Sequence, residues 1–254
     1  MKRLFMGSLF IVAALPAMAQ DEPTIDTTLN LDFVTKDVWR GINLVDDLVF
    51  VPNVHFDYGA WHAHLSGRME LTDTNSYATL SDPTGNFTAF RGGVYYNFNY
   101  DEAVDVTFGL QSHQYPDVGT PQTQELYYAL DFGGVANFML EVEQDVEVVK
   151  GYYVRASISH AFPGALRKPD GSEQSLIMGA HLAYGDNNHN MFYYGADTST
   201  LTDLSIWTAT SFQLSDSFTL SPYLEYSALV DPDLLKGADN RTNLLFGIRG
   251  QYKF

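Results

Sequence analysis

Apolar and polar residues alternate along most of this chain with a period of two, the signature of extended strands with one apolar and one polar face. The segment 137–147 shows it plainly. Phe138, Leu140, Val142 and Val146 fall on one side, and Glu141, Glu143, Asp145 and Glu147 on the other. The final segment, 242–254, sets Leu244, Phe246, Ile248, Tyr252 and Phe254 against Asn243, Arg249, Gln251 and Lys253. Similar alternation marks 27–40, 49–58, 61–72, 87–98, 104–113, 123–132, 152–162, 174–184, 203–214 and 218–228, giving twelve predicted strands. Most are 10–13 residues long, near the roughly 9–11 that a tilted strand needs to cross a bilayer. The pattern predicts an all-β protein, a transmembrane antiparallel up-and-down β-barrel of about 12 strands. Ten or fourteen strands are alternatives, because Met191–Gly195 also reads as a short strand.

The connections alternate in length. Gly59-Ala60, Asn99–Ala103, Gly133–Ala136 and Ser215–Ser217 are short, whereas Asp73–Asn86, Gln114–Gln122, Gly185–Thr202 and Leu229–Arg241 are long. Short periplasmic turns and long outer loops are usual in such barrels. Pro163–Glu173 is long for a turn and Val148–Gly151 short for a loop. Aromatic residues near strand ends (Tyr58, Trp61, Phe98, Tyr100, Phe132, Tyr184 and Tyr252) fit the girdles at the two membrane interfaces. A soluble sandwich or lipocalin-like barrel would instead place them in a core.

The two ends of the chain add a destination. Met1–Ala19 has a basic start (Lys2, Arg3), an apolar run from Leu4 to Leu15 and a small-x-small close at Ala17-Met18-Ala19. This reads as a cleaved secretory leader over 1–19, leaving 20–254 as one barrel domain. The last strand, ending on Phe254, resembles the closing strand of Gram-negative outer-membrane barrels. That resemblance implies the cell outer membrane as the location, its lipids as surroundings and the barrel-assembly machinery as a partner.

Composition removes other classes. The chain has no cysteine, so neither disulfide stapling nor lipoprotein acylation applies. Taking Lys2 and Arg3 from 14 basic residues leaves 12 against 31 acidic ones, a net charge of −19, which speaks against nucleic acid.

The inward face of a barrel is its functional face, and here it is ionic. Candidate lumen and selectivity residues are Arg68, Glu70, Arg91, Asp105, Glu125, Glu141, Glu143, Asp145, Arg155 and Arg249. Carboxylate rings favour cations, while arginines favour anions or pair with the acids. His64 and Ser66 have the His-x-Ser spacing of barrel lipid hydrolases, but alternation turns both inward, no third orienting group can be assigned, and lumen polarity accounts for them. His62 and His64 with Glu70 are a weak metal signal. The expectation is a non-enzymatic protein without cofactor or metal: a porin-like channel for small solutes. The alternative is a plugged barrel with a structural or surface-interaction role.

At Thr35-Lys-Asp-Val-Trp-Arg-Gly41 the chain resembles the Tyr-Val-Trp-Arg-Gly segment of the TorF-type porin family, followed by Pro52 and Gly59-Ala60-Trp61 where that family has a proline-containing strand and a Gly-x-Trp hairpin. Asp37 and Asn53 depart from its pattern, and the match covers mainly the first quarter of the mature chain. It implies a small outer-membrane barrel of porin type, with a structural role for Trp39, Arg40 and Gly41.

Overall fold

The computed structural model describes residues 24–73, 83–101, 103–116, 121–167, 173–237 and 240–254; the expected leader lies outside the described residues. The strands are β1 (Asp26–Val34), β2 (Asp37–Trp39), β3 (Ile42–Val45), β4 (Val49–Tyr58), β5 (Trp61–Glu70), β6 (Phe87–Asp101), β7 (Val104–Gln114), β8 (Thr123–Phe132), β9 (Asn137–Asp145), β10 (Tyr152–Arg167), β11 (Glu173–Gly185), β12 (Thr200–Ala209), β13 (Phe212–Gln213), β14 (Phe218–Leu229) and β15 (Thr242–Lys253). A helix, α1 (Asn187–Tyr194), precedes β12, and a 3-10 turn at Pro232–Gly237 precedes β15.

All strands but β2 and β3 form one sheet in which sequence neighbours pair antiparallel. It closes because β1 pairs with β15, from Thr28 opposite Lys253 to Val34 opposite Gly247, and β12 pairs with β14. With β12 and β13 counted as one interrupted stave, the barrel has twelve. Closure leaves no ladder edge unpaired, the condition for strands to cross hydrocarbon.

Alternation sorts the two faces. Phe33, Leu65, Ile158, Ile206 and Leu244 are exposed outside, whereas Asn30, Asp32, Glu70, Glu125 and Glu141 are buried inside. An apolar exterior around a polar interior suits a bilayer, not water. Rings cluster at the termini end of the wall, Trp61 on Tyr96 at 5.0 Å and Phe132 on Phe138 at 5.8 Å. Among the described residues no helix is long and apolar enough to cross a membrane.

Several expectations need correction; the third strand, for one, ends at Glu70 and not at 72. The first strand ends at Val34 and not at residue 40; the chain turns back at Asp37–Val45 as the separate hairpin β2–β3. The seventh ends at Asp145 and not at 147. Met191–Gly195 is no strand. The Asp186 carboxylate caps α1 by accepting the His189 N–H at 2.9 Å, and Gly195 ends it in the left-handed region. Finally, Pro163 starts no turn, because β10 runs on to Arg167 through an irregularity between Phe162 and Leu166.

The gap between β12 and β13 has a cause in the partner strand. Thr210 and Ser211 lie level with Pro222 of β14, between Ala209 opposite Tyr223 and Phe212 opposite Leu220. Proline brings no N–H to a ladder. The Thr210 N–H still reaches the Pro222 carbonyl at 3.2 Å, and the Gln174 side chain donates to the Ser211 carbonyl at 2.5 Å.

Inside the wall, large rings lie on glycines. A Cβ at Gly247 would sit 2.2 Å from the Tyr223 ring, and one at Gly179 2.4 Å from the Trp207 ring. Replacing Gly247 by Val should displace Tyr223 and cost about 1–3 kcal/mol by overpacking. Denaturant titration of the refolded barrel in detergent checks this; an unshifted midpoint would mean that Tyr223 does not rest there.

Candidate functional site

Everything distinctive about the interior gathers where the hairpin enters. β2 and β3 are joined by a two-residue turn in which Arg40 (φ 50°) and Gly41 (φ 77°) both lie in the left-handed region, the requirement of a type I′ turn. Glycine suits that geometry and arginine does not, at a cost of roughly 1–2 kcal/mol. Gly41 is further constrained by close approach, for a Cβ there would lie 2.7 Å from Leu229 and 2.8 Å from Asp203 on the β12–β14 side of the wall.

The arginine reaches the opposite wall. Arg40 Nη2 donates to Glu125 of β8 at 2.8 and 2.9 Å and to Glu143 of β9, while Nη1 donates to His189 Nε2 of α1 at 3.2 Å. Its guanidinium lies 4.3 Å from the Trp39 ring centroid and 4.5 Å from that of Tyr153. Tyr194 of α1 donates its hydroxyl proton to the Arg40 carbonyl at 2.6 Å. The turn therefore bridges the lumen between two walls. A seam of Ile42, Tyr194, Ala196, Leu229 and Leu234 packs hairpin, helix and 3-10 turn together, and Val34, Val45, Val49 and Leu245 anchor the hairpin's legs.

Electrostatics follow from this packing. Burial opposes a charge on Arg40, but the Glu125 and Glu143 carboxylates outweigh it and raise its pKa well above the usual value. Because Arg40 can only donate, His189 Nε2 must accept, and Nδ1–H then donates to Asn190 Oδ1 at 3.0 Å. Burial first, and the Arg40 charge second, lower the His189 pKa to about 4.

The ten charged residues expected inside all lie on the inward face, but they do not form one ring. Arg68 donates to Asp37 of the hairpin at 2.6 Å and to Thr88 at 3.0 Å, and Thr88 donates to the fully buried Glu70 at 2.5 Å. Glu125 also accepts from Gln111 at 2.8 Å and His113 at 3.0 Å. Glu141 is gripped by Arg155 at 2.7 and 2.8 Å and by the Tyr127 hydroxyl at 2.9 Å. Asp145 accepts from Thr123, while its Oδ1 takes the backbone N–H groups of Glu147, Val148, Val149 and Lys150 at 2.9–3.1 Å. That cap is why the loop after β9 can be so short.

Two residues stand apart: Arg249 forks onto Asp32 at 2.8 Å, and Asp105 meets Asn99 at 2.9 Å beside the turn after β6. Arg91 lies 5.3 Å from the Trp39 ring. The acids of β9 are thus engaged by cations or N–H groups and do not make a free carboxylate ladder.

His64 and Ser66 do face inward, where the His64 ring stacks on Tyr95 at 5.5 Å. His62 is bound to Asp57 at 2.6 Å, and no group of three or more His, Asp or Glu among the described residues is placed to hold a metal. Alternation did not single out Asp203 or His181. His181 donates to Asp203 at 2.8 Å, receives Ser205 at 3.1 Å, and Tyr153 donates to the same Asp203. Ser205 is fully buried, so the three brace the wall and offer no hydroxyl to a solute. Arg40 lies in a turn and His189 in a short helix, where no period-two signal exists; only the Trp-Arg-Gly resemblance pointed at the former.

A closed twelve-stave wall, apolar outside and ionic inside, with a loop folded into its lumen, defines a transmembrane antiparallel β-barrel. No protein-family model and no curated protein matches the chain. Solved structures do. The chain is similar to the KdgM porin (9% identity, TM-score 0.54, covering 89% of this chain and 99% of that one) and to the NanC porin (14%, 0.57, 89% and 100%). It is also similar to the COG4313 outer membrane channel from Pseudomonas putida F1 (11%, 0.54, 93% and 97%). At such identities the likeness is one of fold.

Two outcomes test the Arg40 bridge. Arg40→Met should destabilise the protein by about 3–5 kcal/mol, because it strands the buried Glu125 carboxylate and the partly buried Glu143. Adding Glu125→Gln should recover part of the loss; denaturant unfolding in detergent reads both. For His189 the folded pKa lies below the unfolded value near 6.5. Its contribution is complete above about pH 6.5 and drains away as pH falls toward about 4. His189→Gln should flatten that part of the stability profile, and an unchanged slope would contradict the assignment.

Proposed function

We propose that the chain is an outer-membrane channel through which small polar solutes diffuse passively, narrowed by the Arg40 hairpin. One observation carries this. Between the hairpin and the termini end, the inward residues His55, Asp57, His62, His64, Asn97 and Thr107 are polar and partly exposed, and among the described residues no apolar core fills the space between them. Polar side chains on an inward face with no apolar filling suit a hydrated lumen. The fold shared with the KdgM and NanC porins supports the same reading.

Within this proposal residues 1–19 are the export leader, and 20–254 are the barrel that the assembly machinery receives through the strand ending at Phe254. The TorF-type assignment is our finer reading of the family. What supports it is that its Trp39-Arg40-Gly41 motif is the tip of the lumen-crossing hairpin. Selectivity is assigned to Arg68, Glu70, Arg91, Asp105, Glu125, Glu141, Glu143, Asp145, Arg155 and Arg249, with most of the acids already compensated by partners. The barrel is assigned no chemistry.

A second reading, a plugged barrel with a structural or surface role, is favoured by the buried seam that packs three loop elements together at one mouth. Planar-bilayer recording of the refolded protein separates the two. Discrete conductance steps are expected from the channel, and a silent bilayer with correctly folded protein would leave the plugged barrel.

A further inference from the structure

Four inward arginines are matched to acids: Arg40 to Glu125 and Glu143, Arg68 to Asp37, Arg155 to Glu141 and Arg249 to Asp32. Arg91 is not. Among the described residues it has no carboxylate partner, and its guanidinium lies 5.3 Å from the Trp39 ring. Arg91 of β6 stands directly opposite His113 of β7, so their side chains are adjacent on the lumen face. The His113 ring is 6.0 Å from Trp39, which packs edge-on against Tyr193 at 4.9 Å.

Two buried polar atoms here are unused. The Tyr115 hydroxyl and His113 Nδ1 have no hydrogen-bond partner among the described residues. Buried polar groups are normally satisfied, and an unmade bond destabilises. Arg91 is the charge that acts most strongly on the Tyr115 phenol, which burial holds in its protonated, donating form. The nearby Glu125 does not repel an anion strongly, because Arg40, Gln111 and His113 already share its charge.

We infer that Arg91, Tyr115, His113 and Trp39 form a subsite for a small organic carboxylate. The guanidinium fork takes the two carboxylate oxygens. The Tyr115 O–H donates a further bond, and the Trp39 ring, which Arg40 already covers at 4.3 Å, bounds the subsite beside Arg91 and the carbon skeleton. His113 Nδ1 meets a hydroxyl of the solute. This inference names the solute class for the proposed channel and rests on that reading, yet binding can be measured without any conductance.

Titrating the refolded full-length barrel in detergent with gluconate, and with sorbitol as a neutral control, tests it by calorimetry and tryptophan fluorescence. Saturable gluconate binding with none for sorbitol is expected. Arg91→Gln should weaken it about tenfold or more, Arg91→Lys less because it loses the fork, and Tyr115→Phe by several-fold. Each variant is first checked for the heat-shifted gel mobility of a folded barrel; Arg91→Lys and Tyr115→Phe keep the test open should Arg91→Gln misfold. Equal heats for gluconate and sorbitol would overturn the assignment, as would folded Arg91 variants that bind like the wild type. A silent bilayer with intact gluconate binding would defeat the channel and leave the subsite.

Discussion

A buried guanidinium must be matched, and Arg40 is matched twice, by Glu125 and Glu143. Much of the interior follows from that one constraint. To reach β8 and β9 from the loop after β1, the hairpin has to cross the lumen, so its turn presses on Leu229 and Asp203, where residue 41 has room for no side chain. To accept from the same guanidinium, His189 has to be neutral, and α1 is pinned over the hairpin by the Tyr194 bond to the Arg40 carbonyl. Losing the cation would strand two carboxylates and release the contact between hairpin and helix together, which is why a single residue in a strained backbone conformation is worth its cost.

The barrel satisfies two solvents at once. Its exterior side chains are predominantly apolar, and closure by β1 against β15 keeps backbone polar groups out of lipid. Its interior is held by ladders, ion pairs and rings seated on glycines, and among the described residues the apolar seams lie where loops fold in. A charged interior does not amount to a charged pore. Most inward acids are paired, so the field inside the lumen depends on the residues that pairing leaves over, Arg91 foremost.

The staves were legible because a two-faced strand writes its environment into every second residue; Phe138 and Glu141 need no further context to be placed. The inward position of the ten charged residues was legible for the same reason. Their partners were not. Whether Glu143 meets a solute or Arg40 depends on a hairpin that the alternation absorbed into an overlong first strand, since Asp37–Trp39 is itself extended. The short loop after β9 became intelligible only with Asp145 seen as its cap, and the break in the tenth stave only with Pro222 beside it. Contacts between residues 85 or 149 positions apart leave no periodic trace.

The account centres on a hydrated barrel constricted by the Arg40 hairpin. Single-channel conductance of a variant whose Asp37–Val45 hairpin is replaced by a short Gly-Ser linker tests this most directly. The account predicts discrete openings several times larger than those of the intact protein. Conductance equal to the wild type in a correctly folded barrel would show that the hairpin does not set the passage.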